Sequence, residues 1–151
     1  MSKPAMDMFD ILNHMQDSLR QLDDILTQEQ QELSAGRVNA AFLHRLTENK
    51  NEQLSTLSHF DKLRIQMEQT LSINAPYDQD AKLNEAWLAI QSQTRHLSQN
   101  NHQNGLLLEQ HLKHTQEALN FLEKKNQPTN LYGPDGQSHR QGNKLGRKFG
   151  V

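Results

Sequence analysis

The sequence has no cysteine, only four prolines and seven glycines in 151 residues, and 5% aromatic side chains. Without cysteine there is no disulfide framework, no thiolate zinc site and no cysteine nucleophile, which fits a reducing compartment. Five of the glycines, Gly133, Gly136, Gly142, Gly146 and Gly150, fall after residue 126, so the body keeps only Gly36 and Gly105 and has room for few turns. Apolar residues make up 34% of the chain, against roughly 45 to 50% in an ordinary globular domain. That shortage argues against a thick two-layer core and favours long amphipathic helices, each burying one stripe. The aliphatic run Leu106-Leu107-Leu108 is far short of the roughly 20 residues a bilayer requires. Met1 to Asp7 lacks an apolar signal core. The expectation is a cytoplasmic chain with no stable membrane insertion.

What is present is helical text. Gln (18) and Asn (13) are abundant, and Gln is well tolerated on exposed helix faces. Met8, Leu12, Met15, Leu19, Leu22 and Leu26 follow one another in alternating steps of four and three, with Leu33 a heptad later, which puts them on one helical seam. Ser34-Ala35-Gly36 supplies a stop. A second helix starts at an Asn39 cap and runs through Leu43, Leu46, Leu57, Phe60, Met67 and Leu71. The same count puts Lys50, Gln53 and Arg64 at inward positions, which predicts looser or wetter packing there. This helix ends before Asn74-Ala75-Pro76. A third, about 45 residues long, carries Leu83, Trp87, Ile90, Thr94, Leu97, Asn101, Asn104, Leu108, Thr115, Leu119 and Leu122 inward. The low helix propensity of Asn100 to Gly105 leaves open a kink or break at Gly105.

Periodicity ends at Asn126. Residues 126 to 151 carry four basic side chains, Arg140, Lys144, Arg147 and Lys148, against Asp135. The tail is therefore +3 and the body −5, within a net charge of −2. Such a segment buries too little apolar surface to offset its ordering entropy. The expected architecture is all-α, with three long antiparallel helices in a coiled-coil-like bundle (residues 1–125) and a disordered or extended tail (126–151).

Chemistry-bearing constellations are sparse. His111 and His114 lie one turn apart with Glu117 beyond, but the His-Glu-x-x-His spacing of a zinc helix is absent. Glu29 with Glu32 reads as a solvated carboxylate face. No phosphate-binding glycine loop or nucleophile elbow occurs, so neither an enzyme nor a bound cofactor is expected. Four basic residues beside an acidic body make a poor nucleic-acid platform. The tail is either a solubilising terminus or a short docking motif, since Leu131-Tyr132-Gly133-Pro134-Asp135-Gly136 combines two anchors with a turn-prone sequence. Late in the third helix, Leu108, Leu112, Leu119 and Leu122 form one apolar stripe, and Leu107, Ala118 and Phe121 a second beside it. Either both are buried between the other helices, or the second faces a partner helix.

The sequence resembles the FlgN-type flagellar export chaperones over nearly its whole length. Four stretches carry the similarity: Glu29-Gln30-Gln31-Glu32-Leu33-Ser34-Ala35-Gly36 leading to Val38-Asn39; Leu46-Thr47-Glu48-Asn49-Lys50; Asn101-His102-Gln103-Asn104-Gly105-Leu106-Leu107-Leu108-Glu109; and Leu131 to Gln137 followed by a basic end. The resemblance implies a non-enzymatic cytosolic chaperone for the hook-filament junction proteins FlgK and FlgL. It would bind their C-terminal helical region, prevent premature assembly and deliver them to the type III export gate. It also implies cargo binding by the late third helix, at Leu107, Leu108, Leu112, Ala118, Leu119, Phe121 and Leu122. Docking on the cytoplasmic domain of the gate protein FlhA would fall to Leu131, Tyr132 and Gly133. The expected free state is a monomer or weak homodimer. The alternative from another class is a cargo-free coiled-coil adaptor that homo-oligomerises through the first-helix seam.

Overall fold

The structure is a computed structural model that describes residues 6–126. It consists of α1 (Met8–Ser34), α2 (Ala40–Leu71) and α3 (Ala81–Asn126), with no strand among the described residues. Each helix begins at a side-chain cap. Asp7 accepts from the Asp10 backbone N–H at 2.8 Å, and the Asp10 carboxylate accepts from the Asp7 N–H in return. Asn39 Oδ1 accepts from the Phe42 N–H at 3.1 Å. Asp80 Oδ1 accepts from the N–H groups of Lys82 and Leu83. These bonds satisfy amides that have no intrahelical partner, each cap contributing about 1 kcal/mol. Between α1 and α2, the Glu32 carboxylate accepts from the Asn39 N–H at 2.6 Å and draws the turn closed.

Side-chain pairs fix direction and register. His14 stacks on Phe60, Gln53 donates to Gln21, and Lys50 pairs with Glu29, so α2 runs antiparallel to α1. Lys82 lies over the Phe9 ring, and Asn104 donates to the Leu26 carbonyl, so α3 runs parallel to α1. The result is an up-down-up bundle with α1 as its central member. Met8, Leu12, Met15, Leu19, Leu22 and Leu26 are almost fully buried, and Ile11, Ser18 and Ile25 form a second buried stripe on the same helix. In contrast, α2 buries fully only Leu46 and Lys50.

The helix starts, stops and the α1 seam lie where the sequence puts them. α3 passes Gly105 without a break. The inward polar positions of α2 are filled by protein partners. Arg64 donates to Asp61, Glu68 and the Tyr77 hydroxyl, and its guanidinium stacks 4.4 Å from the Trp87 ring centroid. Tyr77 donates in turn to Glu68 Oε2 at 2.8 Å and meets Trp87 edge-on. This cluster holds Tyr77 at φ 62°, a left-handed backbone that an aromatic residue adopts only when its surroundings enforce it.

Burial pushes the Tyr77 phenol above its ordinary value of 10.0, with Glu68 reinforcing and Arg64 opposing the shift. The folded chain thus holds this proton more tightly than the unfolded one. Stability from this group is intact below about pH 10 and falls as pH rises through the folded value. In urea titrations, Tyr77→Phe should cost about 1 kcal/mol at pH 7. It should also lose less stability than the wild-type chain between pH 9 and pH 11.

Candidate functional site: a groove at the open end of the bundle

α1 stops at Ser34, and α2 begins at Ala40 on the same level. The pairing of Asn104 with Leu26 puts Ser34 opposite about residue 112 of α3. From there α3 continues to Asn126, roughly 20 Å at 1.5 Å per residue, without either neighbour. Where the three helices part, a cleft of about 280 Å³ opens. Its apolar walls come from Leu33, Val38, Ala40, Leu43, Leu108 and Leu112; Glu29 and Asn104 form the polar part of the lining, and His44 and His111 complete it.

The predicted cargo residues divide between this cleft and the overhang. Leu108 is buried and Leu112 half-buried, both lining the cleft, and Leu107 is half-buried beside them. Ala118 is exposed, as are Leu119 (49%), Phe121 (64%) and Leu122 (51%). Leu119 and Leu122 continue the stripe of Leu108 and Leu112 past the end of α1, while Ala118 and Phe121 extend the Leu107 stripe. Neither stripe of the overhang is covered by another of the described helices. Leu131, Tyr132 and Gly133 lie outside the described residues.

Sequence reasoning missed the other side of the cleft. Leu33 and Leu43 were legible as seam positions, but nothing indicated that Val38 and Ala40 would face α3. The reading of Glu29 as part of a solvated face is corrected: Glu29 is 4% exposed. It occupies the seam position between Leu26 and Leu33, three residues after one and four before the other. The signal was therefore present in the heptad count. Lys50 Nζ reaches both Glu29 oxygens, at 3.2 and 3.0 Å, and donates to Asn101 Oδ1 at 3.1 Å. Asn104 Nδ2 donates to Glu29 Oε1 and to the Leu26 carbonyl, each at 2.9 Å. One buried polar cluster thus ties all three helices together directly beneath the cleft. His111 lines the cleft, and His114 is exposed 4.0 Å from Glu117. Among the described residues no three His, Asp or Glu side chains converge in a metal-binding arrangement. No described helix is long and apolar enough to cross a membrane.

Fold and groove define an all-α bundle protein whose longest described helix presents an amphipathic end that no other described helix covers. Residues 1–140 match the FlgN protein family. The chain is similar to the flagella synthesis protein FlgN of Salmonella typhimurium, 40% identical over 139 residues that span 90% of this chain and 95% of that protein. It is similar also to the flagella synthesis protein FlgN of Proteus mirabilis, at 41% over 122 residues (81% and 83%). With that of Escherichia coli the identity is 35% over 139 residues (90% and 95%). The chain belongs to the FlgN family.

A buried ion pair is costly to half-remove, because the surviving charge is left in a low dielectric. Lys50→Met alone should destabilise the bundle by about 3 kcal/mol or more. The double change Glu29→Leu with Lys50→Met should recover most of that loss in urea denaturation followed by helical circular dichroism. Additive losses would show that the two charges do not act as a unit.

Proposed function

We propose that this protein serves flagellar assembly as a type III export chaperone for the hook-filament junction proteins FlgK and FlgL. An amphipathic helix from the C-terminal region of the cargo lies along the overhang of α3 and seats apolar side chains in the cleft. The observation that carries this reading is the uncovered double stripe of α3, Leu119 and Leu122 beside Ala118 and Phe121, leading into an apolar cleft in a chain of the FlgN family. Contiguous exposed apolar surface of this kind marks an interaction site. A partner helix would occupy the space that α1 leaves vacant beyond Ser34, with the same ridge-into-groove packing α1 uses below. Each leucine buried by the partner contributes about 1.5 to 3 kcal/mol. Covering the cargo helix in this way would keep it from assembling early.

In the same proposal Tyr132, with Leu131 and Gly133, docks on the cytoplasmic domain of the export gate protein FlhA. Tyr132 is six residues beyond the end of α3 in the sequence. Cargo and gate would be held side by side on one molecule. The adaptor reading, which needs α1 to pair between copies, has less support: Met8, Leu12, Met15, Leu19, Leu22 and Leu26 are at most 4% exposed within this chain's own core.

Leu112→Asp and Phe121→Asp should each weaken binding of a FlgK or FlgL C-terminal peptide at least tenfold in calorimetry, since each loses more than 1.4 kcal/mol of apolar contact. Phe121→Asp should leave the melting temperature unchanged, because Phe121 is largely exposed. Unchanged cargo affinity in both variants would dismiss the groove assignment. Tyr132→Ala should weaken FlhA binding and spare cargo binding; loss of both together would refute separate sites.

A further inference from the structure

Asn104 is 3% exposed, yet it lines the cleft. Its amide nitrogen uses both protons within the protein, one on the Leu26 carbonyl and one on Glu29 Oε1. Two acceptors on the same side fix the orientation of the amide. Asn104 Oδ1 therefore points away from them and receives no donor among the described residues. It is not sealed off, however: among the described residues the buried side-chain atom shut away without a partner is Gln93 Oε1. The surface that Asn104 retains opens on the cleft it lines.

We infer that Asn104 is a specificity determinant of the groove, selecting a partner helix that carries an uncharged hydrogen-bond donor, an Asn, Gln, Ser or Thr, among its apolar side chains. This rests on the reading of the groove as a cargo-helix site. The charge state of the surroundings sets the donor class. Glu29 is already neutralised by Lys50, which contacts both of its oxygens. A lysine or arginine entering the cleft would bring a charge with no counter-ion into a desolvated site. A leucine would cover Asn104 Oδ1 and leave it unpaired. A neutral donor alone satisfies the oxygen and adds no charge. Asn101 provides an internal control: it belongs to the same cluster, accepting from Lys50 Nζ at 3.1 Å, but does not line the cleft.

The test uses the full-length chain and the C-terminal helical peptides of FlgK and FlgL, with each Asn, Gln, Ser and Thr of the peptide replaced in turn by Leu. In calorimetry, one such replacement should weaken binding to the wild-type chain about tenfold. Against Asn104→Leu that same replacement should restore affinity, reversing the preference. Asn101→Leu should lower the melting temperature and keep the wild-type preference. The inference is overturned if no polar-to-Leu replacement discriminates wild type from Asn104→Leu, or if Asn101→Leu shifts the preference equally, which would mark a purely structural cluster. Failure of every native peptide to bind the wild-type chain would instead sink the cargo reading, and this inference with it.

Discussion

α1 is the axis of the bundle, and it is too short for its parallel neighbour. It buries residues on two faces, one toward each of the other helices, so its length sets how far the three-helix core extends. Once it stops at Ser34, the apolar stripe that α3 presents to it below has no partner among the described helices. Burial of a stripe is worth several kcal/mol per turn of leucines, and α3 forgoes that over its last fourteen residues. The cleft and the exposed leucines are thus two consequences of one difference in helix length.

The polar cluster of Glu29, Lys50, Asn101 and Asn104 lies just where the core ends. An ion pair bonded to two asparagines has fixed directions, and the Lys50 ammonium finds both Glu29 oxygens and Asn101 Oδ1 within the cluster. It holds the helices at a set separation and register, a use of buried polar groups better attested than any gain in stability. The cluster at the opposite end, Arg64, Glu68, Tyr77 and Trp87, plays the same part for the α2 to α3 turn. Both ends are specified by directional contacts, and the apolar seam between them supplies most of the burial.

Much of this was legible in the sequence because it is local. The four-three steps of α1, the Asn39 cap and the stop at Ser34 each depend on a few neighbouring residues. The inward placement of Lys50, Gln53 and Arg64 also followed from counting along one helix, although their partners from outside α2 did not, since Glu29, Gln21 and Tyr77 lie on other segments. Asn100 to Gly105 left the continuity of the third helix open. Their propensity is poor, but Asn101 and Asn104 are held inside by Lys50, Glu29 and the Leu26 carbonyl, and tertiary packing overrides a weak local preference. The cleft itself was not legible. It arises from where three helices end relative to one another, and that needs a register set by contacts 75 and 78 residues apart.

An unsupported helix of fourteen residues would be marginal in water, because nucleating the first turn costs more than each later residue returns. The overhang of α3 avoids that cost by continuing a helix already packed below it. Local contacts assist: Gln116 donates to Asn120 at 3.1 Å, Thr115 donates to the His111 carbonyl, and Lys124 and Lys125 sit in the last turn, where cations oppose the negative end of the dipole. The apolar stripes are therefore presented in a fixed helical array before any partner arrives. A surface ordered in advance loses less conformational entropy on binding than one that must fold onto its partner, so more of the burial energy remains as affinity. Most of the ordering cost of a helix-in-groove complex then falls on the incoming segment, and a partner that already forms an amphipathic helix is favoured over one that must fold from coil.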